Sequence, residues 1–154
     1  APDADWHFAC DGTKVFRVGP EGKSEVDQPW ARGLARERID DGFLDYRERG
    51  ITYEYVGLQS FDTERSVLYH LRRTFPDGHV EELYFDVDEG LLRLIDDHHP
   101  RHPSLTALYE YRDVGGVRFC HLRIQRAFAK LAPPHVFVVD EIKVNEPLPE
   151  DFFH

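Results

Sequence analysis

Nowhere in the chain does an apolar run approach the roughly 18 residues that a membrane-crossing helix needs, so nothing reads as a helical span. Methionine is missing altogether and Ala1 stands first, so the expectation is a chain that has been processed, trimmed or excerpted. A removed signal peptide fits that expectation. Lysine is confined to Lys14, Lys23, Lys130 and Lys143, and Asn145 is the only asparagine. Arginine over lysine with little asparagine is consistent with a GC-rich bacterial genome. Cysteine is scarce too. Cys10 and Cys120 lie far apart, and two readings stay open: a pair in an oxidising compartment, or buried free thiols. The chain also lacks a basic cluster, and its net charge is −10. Nucleic acid and anionic lipid headgroups are disfavoured as main partners, because both would repel it.

What is present describes an ordinary folded protein. At 154 residues, 41% hydrophobic and 13% aromatic, the chain has the length and apolar content for one domain with a real core. Residues 5–18, "DWHFACDGTKVFRV", read as a hairpin around Asp11-Gly12. Gly19-Pro20-Glu21-Gly22 makes a second turn before a short strand in "KSEVDQ". Pro29 sits where a helix can start, with Asp27 as a cap and Trp30, Leu34 and Ile39 as an apolar stripe. "FLDYRERG" adds a helical turn or a loop, so one or two short helices are expected around residues 29–49.

From Ile51 onward the pattern is β. "ITYEYVGLQSF" is aromatic and β-branched, with Gly57 as a bulge or bend. "SVLYHLRRTF", Pro76-Asp77-Gly78 and "HVEELYFDVD" form the clearest hairpin, and Asp88-Glu89-Gly90 turns the chain into "LLRLIDD". After a break at 98–104, "LTALYEYRDV", Gly115-Gly116, "VRFCHLRIQRAF" and "HVFVVDEIKV" complete a meander. Strands every ten to fifteen residues with tight turns predict an antiparallel sheet. Alternation puts Leu83, Phe85 and Val87 on one side of their strand, and Cys120, Leu122, Ile124 and Phe128 on one side of theirs. Val136, Val138, Ile142 and Val144 share a side with Asp140.

The densest chemistry is "LIDDHHPRH" at 94–102. His98 and His102 have the i, i+4 spacing of a helical zinc pair, but Pro100 and Pro103 exclude a regular helix. The segment reads as a solvated bend between strands, and no metal is expected. His70 and His121 lie inside strands, where a polar-face histidine is the ordinary reading and a general base the sharper one. Cys120 and His121 are adjacent and point to opposite faces, which argues against a thiolate–imidazole pair. "DVDEG" at 86–90 is too short for a calcium loop and reads as a turn. No nucleophile elbow, P-loop, dinucleotide fingerprint or H-E-x-x-H occurs. No catalytic residue, cofactor or metal ligand is assigned, and the expectation is a non-enzyme.

Four stretches in order resemble one family: "GFLDYRERGITYEYVGLQSFD", "VLYHLRRTFPDGHVEELYFDVDEGLLRLI", "YEYRDVGGVRFCHLRI" and "DEIKVNEPLPEDFF". Together they are similar to the bacterial outer-membrane lipoprotein-sorting proteins, the LolA/LolB-like superfamily, over residues 5–153. The resemblance implies a single domain over 1–154: an unclosed, curved antiparallel half-barrel whose concave face binds a lipid or lipoprotein acyl chain. The family's first helix and strands, roughly sixty residues, are not found before Ala1, so an N-terminally incomplete domain is expected. Cys120 stands where the family usually has proline. The resemblance further implies that Phe152 and Phe153 pack against the barrel mouth.

The resulting expectation is a mainly β envelope or periplasmic protein that binds an apolar ligand. Tyr53, Tyr55, Leu68, Leu83, Phe85, Leu122, Ile124, Val136 and Val138 are its expected lining. The alternative is an accessory subunit of a larger envelope complex, with an exposed sheet edge as its interface.

Overall fold

The computed structural model describes residues 7–10, 14–26, 43–61, 66–128, 133–144 and 147. The chain divides into two compact units, residues 1–45 with 145–154 and residues 46–144. In the first, β1 (His7–Cys10), β2 (Val15–Gly19) and β3 (Gly22–Glu25) form an antiparallel sheet in that order. β1 and β2 are the expected hairpin, with Cys10 opposite Val15 and His7 opposite Val18. Gly19 pairs with Gly22 across the second expected turn.

The larger unit holds seven antiparallel strands in the order β10-β9-β8-β7-β6-β5-β4. They are β4 (Thr52–Phe61), β5 (Ser66–Thr74), β6 (Val80–Asp86), β7 (Leu92–Asp97), β8 (Ser104–Val114), β9 (Val117–Ala127) and β10 (His135–Val138). Each strand pairs with the next in sequence, so the sheet is a plain meander with β4 and β10 as its outermost strands among the described residues.

The turns follow local chemistry. At β5–β6, Asp77 Oδ1 accepts the His79 amide at 3.1 Å, and Gly78 takes a φ of 82° that a side chain would resist. At β6–β7, Asp86 Oδ1 accepts the Glu89 amide. At β8–β9 the two-residue turn Gly115-Gly116 has positive φ at both positions, the conformation that matches strand twist. Asp113 Oδ1 accepts the Gly116 amide at 3.1 Å.

Two irregularities shift the alternation. The β4–β5 register slips between Tyr55 and Gly57, which puts a bulge at Val56 beside the expected glycine. The β6–β7 register slips between Tyr84 and Phe85, so that Phe85 faces Leu92 and Arg93 is left over. Tracing pairs across the sheet defines two faces. One carries Leu71, Leu83, Ile95 and Thr106 in a row, and the other carries His70, Tyr84, Leu94, Ala107 and Ile124. The first face holds the most enclosed side chains, Leu83 and Leu108, with Leu92 close to fully buried. Leu68 and Cys120 are buried on the second.

Three expectations need correction. Residues 27–42, the greater part of the expected helical stretch, lie outside the described residues, and residues 44–50 form turns rather than helix. Gly50 ends those turns at a φ of 67°, with Pro76 so close that an added Cβ would sit 3.2 Å from its ring. Val87 falls in the turn after β6, and Phe128 in a bend after β9. β10 stops at Val138, so Asp140, Ile142 and Val144 do not continue its alternation. The short last strand reflects its partner: His135 to Val138 pair with Gln125 to Leu122, and only the Val139 amide continues the contact, to the His121 carbonyl. Phe152 and Phe153 lie outside the described residues.

Candidate functional site

The nine residues expected to line a binding face divide between the two faces. Tyr53, Tyr55, Leu83 and Phe85 share the Leu83 face. Leu68, Leu122, Ile124, Val136 and Val138 share the Tyr84 face. They do not form one wall.

What the sheet does bring together is an exposed apolar surface where β4 meets β5. Tyr55 and Leu58 are each 61% exposed, Val67 41% and Tyr69 40%. All four project from the Leu83 face, because Leu58 pairs with Tyr69 and Tyr55 with Leu71. The Tyr55 and Tyr69 rings lie 6.4 Å apart, tilted by 59°. Phe85, half-buried opposite Tyr69, continues the surface inward. The bulge makes this grouping: without the extra residue at Val56, Leu58 would point to the other face. Scattered exposed apolar residues are ordinary; these four are instead grouped on one face of neighbouring strands. A second exposed pair, Val136 and Val138, stands on the opposite face beside the half-buried Ile124 and Leu122.

Two rungs of polar residues cross β4 to β7, one on each face. On the Tyr84 face Glu54, Arg72, Glu82 and Asp96 stand in register. Glu82 is buried. Its Oε1 accepts from Arg72 Nε at 2.8 Å and its Oε2 from His70 Nε2 at 2.7 Å. The His70 ring stacks on Tyr84 with centroids 4.6 Å apart. Burial opposes ionisation of Glu82, but the hydrogen bonds from Arg72 and His70 outweigh it and hold the carboxyl below the usual range. Burial, then the charges of Asp96 and Glu82, push the Tyr84 hydroxyl up. Both Glu82 oxygens are engaged by neighbours, so this network anchors the sheet, and His70 is a strand histidine with a structural partner.

On the Leu83 face the rung is Tyr53, Arg73, Glu81 and Asp97. Arg73 is buried, and both Nε, at 2.7 Å, and Nη2 donate to Glu81 Oε2. That leaves Glu81 Oε1 for His79, whose Nε2 lies 3.6 Å away. The same Nε2 is 3.1 Å from Asp97 Oδ1. These three ligand-type atoms lie within 4.8 Å of one another, which makes them the group among the described residues able to share a cation.

The histidine-rich segment contributes only its first half to this cluster. Asp97 joins it, and His99 lies beside it with its ring centroid 5.6 Å from His79. The His99 amide donates to Asp97 Oδ1 at 2.8 Å, and the His102 amide bonds back to His99, which closes the bend. His98 is exposed, within 3.3 Å of Asp96, and His102 stacks on His99. The i, i+4 pair His98 and His102 therefore does not converge. His79, which sequence reasoning passed over, does. A signal existed in the hairpin centred on Glu89, whose symmetry sets Glu81 opposite Asp97.

His121 is buried, with Nδ1 2.6 Å from the Val139 carbonyl and Nε2 without a hydrogen-bond partner among the described residues. Cys120 is a buried free thiol within 3.3 Å of the Tyr109 carbonyl and 3.2 Å of the Leu122 carbonyl.

Among the described residues, no helix is long and apolar enough to cross a membrane. Comparison of the chain with protein-family models, with curated proteins and with solved structures finds no match.

Proposed function

We propose that this chain is a non-enzymatic binding protein of the bacterial cell envelope, taking an apolar ligand on the β4–β5 surface. The observation that carries the reading is the grouping of Tyr55, Leu58, Val67 and Tyr69, exposed together on one face. A lipid or lipoprotein acyl chain laid across it leaves water at a gain of roughly 0.8 kcal/mol per buried methylene. The two tyrosines supply broad apolar rings with polar tips that stay wet. The envelope location and the acyl ligand come from the lipoprotein-sorting resemblance, which also supplies the curved half-barrel. Of the nine residues expected to line the site, Tyr53, Tyr55, Leu83 and Phe85 remain on the proposed face.

The test is titration of the whole chain with a fluorescent long-chain fatty acid. Replacing Leu58 and Tyr69 together with serine removes two exposed apolar groups, and saturable binding should weaken at least tenfold. Replacing Val136 and Val138 with serine on the opposite face should leave it unchanged. Equal loss from both pairs, or no saturable binding by the unaltered chain, overturns the reading.

One observation favours the accessory-subunit reading instead. β4 is a ten-residue strand at the edge of the sheet, with β5 on one side and, among the described residues, no strand on the other. A partner's strand added there would pair its backbone and cover the same apolar residues. Stoichiometric co-migration with another chain on a sizing column, lost on Thr52→Pro in β4, is the expected sign.

A further inference from the structure

We infer that His79, Glu81 and Asp97 form a binding site for a divalent transition-metal cation with zinc-like preferences. The donor set suits such an ion: one imidazole nitrogen and two carboxylate oxygens, three protein ligands with a position left for water. The spacing suits it too. Bonds of about 2.0–2.1 Å in a tetrahedron set ligand atoms about 3.3 Å apart. The observed separations from His79 Nε2 are 3.1 Å to Asp97 and 3.6 Å to Glu81.

Electrostatics point the same way. Glu81 and Asp97 are direct cross-strand partners, and like charges so placed repel. Arg73 answers one of them and occupies only the far oxygen of Glu81. One negative charge is left facing the imidazole, and a bound cation neutralises it. Glu81 is oriented from behind by Arg73 on its other oxygen, as outer-shell groups orient metal ligands, and Asp97 is fixed by the His99 amide on Oδ1, the oxygen that also faces His79. A second observation concerns His79 itself. Its Nε2 faces both carboxylates, while its Nδ1 is buried and has no hydrogen-bond partner among the described residues. His99 is excluded as a ligand through Nδ1, which already accepts the Arg101 and His102 amides.

The test uses the full chain, freed of metal with a chelator and titrated with zinc chloride in a calorimeter, with cobalt(II) absorption as a second readout. The expected result is one equivalent bound, with a tetrahedral cobalt spectrum. Asp97→Asn and His79→Gln should each weaken binding at least tenfold, with far-UV circular dichroism unchanged. His98→Ala and His102→Ala should not alter it. No saturable binding would mean that the cluster is only a polar triad, with the His79 ring bridging two carboxylates. Binding that survives Asp97→Asn, or that is lost with His98→Ala or His102→Ala, would mean adventitious capture by the exposed imidazoles. Either outcome overturns the inference.

Discussion

Replacing Glu82 with glutamine should destabilise the larger unit by about 2 kcal/mol at neutral pH. The carboxylate is only 7% exposed and accepts two charge-assisted bonds, from Arg72 and His70. Glutamine keeps one oxygen for one donor and turns an amide nitrogen toward the other, so one such bond is lost, worth about 1.5–3 kcal/mol. The penalty of about 3–5 kcal/mol for stranding a buried charge does not apply in full. Arg72 is 43% exposed and has Glu54 at 3.8 Å, so water and a second carboxylate take up its charge. For a unit of roughly a hundred residues, about 2 kcal/mol corresponds to a fall in Tm of roughly 10 °C. The pH dependence gives a second check. Glu82 has a lowered pKa in the fold, so its contribution is complete above the unfolded value of about 4.3 and disappears as pH falls through the folded value. Urea unfolding followed by circular dichroism at pH 7, 5 and 4 should show a gap between the two proteins that is full at pH 7 and narrows toward pH 4. A variant as stable as the parent at pH 7, or a gap that stays constant on acidification, would refute the assignment of Glu82 as an ionised anchor.

Three further outcomes test other parts of the architecture. Leu83→Ala, at a side chain with no exposed surface, should cost about 2–5 kcal/mol by urea unfolding, far more than Leu58→Ala on the exposed end of the same face. Gly78→Ala should cost about 1 kcal/mol although nothing lies within 4 Å of the added methyl, because the penalty comes from a φ of 82°. The Cys120 thiol should resist alkylation by iodoacetamide in the folded chain and react once urea unfolds it, read by mass of the peptide that carries it.

The meander was legible because turn chemistry is local. Asp77-Gly78, Asp88-Glu89-Gly90 and Gly115-Gly116 announce themselves within three residues, and each joins neighbouring strands in the sheet. The same holds for Gly19-Pro20-Glu21-Gly22 between β2 and β3. The end of the last strand was less legible. "VVDEIKV" alternates as a strand does, yet β10 ends at Val138, because alternation reports which face a residue would take and not whether a partner is there to pair with.

The face that a residue occupies is a property of the pairing, and a single bulge inverts it for everything beyond. Read strand by strand, Tyr53, Leu68, Leu83 and Val136 are equally good candidates for one wall. The registers set Tyr53 opposite Arg73 and Leu68 opposite Asp86, which sends the first toward Leu83 and the second toward Tyr84. The slip at Phe85 and Leu92 then decides which side β8, β9 and β10 present. Polar rungs follow the same rule. Arg72 and Arg73 are neighbours in sequence but serve separate faces, one paired to Glu82 and the other to Glu81. His79 shows the consequence for chemistry. It opens the strand run "HVEELYFDVD" with nothing to single it out, because its partners, Glu81 and Asp97, meet only after the β6–β7 hairpin closes. The crowded 96–102 segment holds its histidines close in sequence, yet proximity along an extended chain turns alternate side chains apart. In an open β-meander, residues that act together are therefore to be sought at equal distances from a turn, where pairing brings them side by side.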